Sequence, residues 1–173
     1  MAQQLGTLPG HRDVDGARRG RTLRRIGIVV LVLLVGAGVV GALGPRTGEV
    51  SASNSGYRLD VRHAEITRPG LPAPLRITVE RPGGFDSPVT LRLDKDFGDH
   101  LDFQTWYPTP SAETAGPQLV EYEFDPPPGE VLEITLDART APGQPPSSRR
   151  YSVAVVDAGR EAVATRFRMT VMP

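Results

Sequence analysis

Residues 163–171 read VATRFRMTV, and every second side chain is of one kind. Val163, Thr165, Phe167, Met169 and Val171 fall on one side, with Arg166 and Arg168 on the other. Successive side chains of a strand point to opposite faces, so this alternation reads as a strand with one buried and one solvated face. Working toward the N-terminus, the same period returns. It appears in Tyr151, Val153 and Val155; in Leu132, Ile134 and Leu136; and in Val120, Tyr122 and Phe124. It continues through Leu101–Tyr107, through Val89, Leu91 and Leu93, and through Leu75, Ile77 and Val79. The earliest example is Tyr57, Leu59 and Val61, whose phase slips to Ala64 and Ile66, as a bulge near His63 would cause. Pro82-Gly83-Gly84, Asp125–Gly129 (DPPPG) and the proline-rich 140–148 separate these runs as turns. Clean alternation belongs to antiparallel sheets with one wet face. The expectation is a mostly β domain over 57–173 without helix. An immunoglobulin/fibronectin-like antiparallel β-sandwich of about seven or eight strands is the expected form, and a small closed barrel the alternative.

Upstream the pattern changes completely. Residues 26–43, IGIVVLVLLVGAGVVGAL, contain no charged or polar side chain. As a helix rising about 1.5 Å per residue the run reaches roughly 27 Å, against a hydrocarbon core of about 30 Å. This predicts a single transmembrane helix over 26–43. Arg18, Arg19, Arg21, Arg24 and Arg25 crowd its N-terminal side and Arg46 alone follows closely, so the N-terminus is expected in the cytoplasm and the C-terminal domain outside. A cleaved signal peptide is the competing reading. It is disfavoured by the length of the run and by Pro45 after Ala42-Leu43-Gly44, and Val50-Ser51-Ala52 is a weak second cleavage candidate. Residues 1–25 read as a disordered basic tail suited to anionic lipid. Residues 44–56, GPRTGEVSASNSG, read as a flexible linker.

Charge and composition then exclude whole classes. The net charge is zero, but residues 1–25 carry six arginines against Asp13 and Asp15, whereas 44–173 carry fourteen basic and eighteen acidic side chains. An acidic outer domain argues against nucleic acid as a partner. With no cysteine, there is no disulfide, thiolate catalyst or cysteine-ligated metal.

Four groups of residues carry what chemistry the chain offers. Ala37 with Gly41, and Gly38 with Ala42, have the small-residue spacing that lets a second membrane helix approach. Asp94, Asp96, Asp99 and Asp102 lie within a nine-residue stretch and begin like a calcium loop. Glycine falls one position early and Thr105 replaces the closing glutamate, so turn-capping aspartates are the plainer reading. Phe103, Trp106 and Tyr107, with Phe85 in a turn, are interface candidates, although Trp106 also fits the core. His63 and His100 lack a nucleophile in a recognisable elbow, and Met169 with Met172 is too sparse for copper. No cofactor is expected. A non-enzymatic single-pass membrane protein follows, an accessory subunit packed on a larger integral membrane protein. The alternative is a tethered module binding an envelope polymer, peptide or ion, its small-molecule ligand unknown.

Overall fold

The computed structural model describes residues 14–39 and 44–173. They fall into two compact units, 1–43 and 44–173. The first holds helix α1 (Val14–Val39). Within it Gly20–Val39 has a mean hydropathy of 2.0 and none of its surface is buried, so by length and composition it qualifies as a membrane span or a signal sequence. Residues 14–25 continue this helix in place of the expected disordered tail, since arginine and leucine are good helix formers. Residues 1–13 lie outside the described residues.

The second unit is a β domain with ten strands. They are β1 (Arg46–Asn54), β2 (Tyr57–Thr67), β3 (Leu75–Glu80), β4 (Val89–Asp94) and β5 (Leu101–Tyr107). After them come β6 (Ala112–Ala115), β7 (Leu119–Phe124), β8 (Val131–Thr140), β9 (Ser147–Asp157) and β10 (Arg160–Val171). One path runs β5-β8-β3-β2-β10-β9-β4-β7-β6, with β1 paired to β2 off that path. Every pairing is antiparallel except β2 with β10, which run parallel through Ile66–Thr170 and Thr67–Val171. The sheet curls into a half-barrel. Its inner face buries Leu59, Ile77, Leu91, Phe124, Ile134 and Val153, among others. Each fully buried aliphatic side chain contributes about 1.5–3 kcal/mol.

The alternation of the sequence survives at nearly every strand, and three departures have local causes. The expected linker 44–56 is instead a hairpin. Asn54 and Tyr57 pair around Ser55 and Gly56, whose φ values of 51° and 79° form the two-residue turn that suits right-twisted strands. Strand β1 also reaches β10, where Asn54 Nδ2 donates to the Ala162 carbonyl at 2.8 Å. That carbonyl sits where β10 bulges, between Glu161 and Val163, and the bulge turns both Ala162 and Val163 inward. The expected slip in β2 is real but lies at Glu65, which the register with β1 skips.

The second departure is the charged loop, in which Lys95–Asp99 forms a short helix, α2, where no helix was expected outside the membrane segment. Phe97 anchors it, edge-on to Tyr151 and Phe167 with ring centroids 5.1 and 5.5 Å away. The third is β6, a four-residue edge strand in the stretch read as irregular. It is fully exposed, so it owes its order to backbone pairing with β7 rather than to burial.

Candidate binding surfaces

The four aspartates of 94–102 are spent on separate tasks. Asp94 accepts from the backbone N–H of Ser152 at 2.7 Å and from its Oγ at 2.9 Å, which ties the end of β4 to β9. Asp99 pairs with Lys95 at 2.9 Å, Asp102 with Arg139 at 3.0 Å, and Asp96 faces Arg149 at 3.9 Å. His100 Nδ1 bonds the Asp96 carbonyl. Among the described residues no group of three or more histidine, aspartate or glutamate side chains converges as a metal site would require. The structure therefore does not bring Asp94, Asp96, Asp99 and Asp102 together.

The aromatic candidates also separate. Trp106 turns toward the core, its ring 4.6 Å from Tyr122 and 5.9 Å from Phe124. Phe85 packs on the same core beside Tyr57. Tyr107, one residue on from Trp106, points the other way and is 79% exposed. Phe103 lies on β5 by its backbone, and its side chain falls outside the described residues. Of the helix-packing residues, Ala37 and Gly38 lie on α1, and a Cβ at Gly38 would meet nothing within 4 Å. Gly41 and Ala42 lie outside the described residues.

A continuous polar surface does form on the outer face of β4, β9 and β10. Tyr151, Val153, Phe167 and Met169 point inward, so Arg150, Ser152, Arg166 and Arg168 point outward. Small side chains, Ala154 and Ala164, floor a cleft between Arg92 and Arg166. Arg92 is held by Glu121 Oε1 at 2.6 Å. A second cleft, bounded by Asp94, Gln118, Arg149 and Arg150, opens beside the turn between β6 and β7.

Arg150 and Arg168 are direct cross-strand partners, and Arg166 lies opposite Ser152. None of the three guanidinium groups has a hydrogen-bond or ion-pair partner among the described residues. Like charges placed directly opposite one another are destabilising. The outward phase of Arg166 and Arg168 is visible in the sequence. Their meeting with Arg150 is not, because it depends on the β9–β10 register.

His63 is the one buried histidine among the described residues, 5% exposed. Its ring lies 4.8 Å from that of Phe167, tilted by 42°, and Nδ1 has no hydrogen-bond partner among the described residues. Burial holds its pKa below the usual histidine value. Burial likewise raises the phenols of Tyr57, Tyr122 and Tyr151, and Asp157 adds to the effect at Tyr57 by accepting its hydroxyl at 3.0 Å. All four rings lie among the buried side chains of the domain.

No protein-family model matches the chain, and no curated protein matches it. Among solved structures it is similar to part of a family 123 glycoside hydrolase from Clostridium perfringens, described for glycolipid glycan hydrolysis. The TM-score is 0.40 with 11% identity over 62% of this chain. The match spans 22% of the hydrolase chain.

Proposed function

We propose that the protein is a non-enzymatic, single-pass membrane protein, with its N-terminus in the cytoplasm and its β domain outside. In this reading it serves as an accessory subunit of a larger integral membrane protein. The observation that carries it is the helical segment Gly20–Val39, none of it buried among the described residues, whose apolar run is preceded by arginines. Supporting it, the buried tyrosines and His63 serve packing. Gly38 leaves room on the helix for a neighbour.

Mild-detergent extraction followed by affinity capture and mass spectrometry tests it. A stoichiometric membrane partner is expected, retained by the native helix and weakened when Gly38→Leu and Gly41→Leu are combined. Full-length protein in the soluble fraction, or capture of the chain alone with either helix, defeats the reading. The alternative, a tethered module for an envelope polymer, peptide or ion, draws on the two open clefts of the β4–β9–β10 face. It requires ligand binding that survives loss of the helix contacts.

For the fold we infer an immunoglobulin-like sandwich. In support, the orders β5-β8-β3-β2 and β10-β9-β4 follow the strand orders of the two sheets of that architecture, with the short parallel β2–β10 pairing between them. Strands β6 and β7 depart from it. They extend the second sheet as added strands do in variable domains, yet follow β5 in the chain instead of preceding it.

A further inference from the structure

We propose that the unpaired arginines of the β9–β10 face, Arg150 and Arg168 with Arg166 beside them, dock the β domain on anionic lipid headgroups of the bilayer that α1 crosses. The proposal rests on the membrane reading above and adds a second point of attachment to it. Three observations meet here.

The first is charge. Arg150 and Arg168 oppose one another without an acidic partner among the described residues, on a domain whose acidic side chains outnumber its basic ones. Glutamates were available to the sheet, as Arg92 with Glu121 demonstrates on the neighbouring strands. The second is position within the sheet. Arg46, the first residue of β1, pairs with Ile66; Ile66 pairs with Thr170, and Thr170 with Ser148. The Arg150–Arg168 pair is two residues from that row. The arginines therefore occupy the end of the sheet at which the chain enters the domain.

The third is tether length. In sequence only six residues, 40–45, lie between Val39 and Arg46. Six residues reach no more than about 20 Å even when extended. An unpaired guanidinium cluster at the entry end is thereby confined near headgroups, where each phosphate offers the planar, two-pronged contact that arginine matches. Ser148, Ser152 and Thr170, on the same strands, are short enough to leave the guanidiniums proud of the surface.

The test uses the full-length chain in vesicles. The sequence has no cysteine, so Ser148→Cys carries a single fluorescent donor and a headgroup-labelled lipid serves as acceptor. In phosphatidylcholine vesicles containing phosphatidylglycerol, energy transfer should exceed that in phosphatidylcholine alone and fall to the same level at high salt. The variant R150Q/R168Q should lose the increase, each arginine removed lowering the docked-to-undocked ratio about fivefold. Because it also relieves the opposed charges, it should fold at least as well, checked by circular dichroism. If the chain does not float with either vesicle, the membrane reading and the docking fall together. If it floats but transfer ignores lipid charge, salt and R150Q/R168Q, docking alone is overturned. A signal displaced by soluble polyglutamate yet indifferent to lipid charge also overturns it, in favour of an acidic protein surface.

Discussion

The ring of Trp106 lies 4.6 Å from that of Tyr122, tilted by 47°. Trp106 sits on β5, the first strand of the sheet path, and Tyr122 on β7, next to its last. This contact joins strands separated by six others along the path β5-β8-β3-β2-β10-β9-β4-β7, so the two rings hold the curl of the sheet.

Trp106→Ala should cost about 3 kcal/mol, the lower part of the range for deleting a large aromatic, because the indole is only partly buried. Trp106→Phe should recover part of this. Denaturant unfolding followed by circular dichroism measures both, since the chain's sole tryptophan is removed with the side chain. A loss below about 0.5 kcal/mol, the level of an ordinary surface change, would contradict the role given to the contact.

His63 makes the domain sensitive to mild acid. Its folded pKa lies below the ordinary 6.5, so the unfolded chain takes up the proton more readily. Its contribution is therefore complete above pH 6.5 and declines as the pH falls toward the folded value. The melting temperature should drop between pH 7 and pH 5 in the parent and change less in His63→Leu. Parallel curves for the two proteins would refute it.

Gly48 should tolerate no side chain. A Cβ there would stand 2.9 Å from His63 Cε1 and Nε2, and the imidazole is wedged against Phe167. Gly48→Ala is expected to cost about 1–3 kcal/mol and to speed hydrogen exchange in β1 ahead of the other strands. An alanine variant as stable as the parent, with β1 equally protected, would show that the imidazole yields freely.

Asp94 should prove structural. Asp94→Ala leaves the backbone N–H of Ser152 without its acceptor, at a cost of about 1–3 kcal/mol. Millimolar calcium should neither release heat in calorimetry nor raise the melting temperature of the parent. A calcium-dependent rise abolished by the substitution would reverse the assignment.

What could be read from the sequence follows the strength of each local signal. The run 163–171 announces its strand because five inward positions are large or branched and the two arginines have nowhere else to go. Strand β1 has only Val50 and Ala52 packed on the core, and its remaining positions are polar or glycine, so composition alone marks it as linker. Its clue was Asn54-Ser55-Gly56, a hairpin turn ahead of an alternating run. Helix α2 hides for a different reason. Five residues cannot display a helical period, and one phenylalanine fixes them. Trp106 was legible as either core or surface, because alternation within β5 assigns faces but not which face is inside. The arginine pair of β9 and β10 needed a register that no single strand contains.

Val50, Ser51 and Ala52, the more distal of the two possible processing points, are matched to Val61, Asp60 and Leu59 in the middle of β1. A peptidase cutting after Ala52 would amputate most of that strand and lift Gly48 off the imidazole beneath it. Any trimming that releases an intact domain must therefore strike before Arg46, and shedding by a nick farther along would yield a damaged product rather than a secreted one.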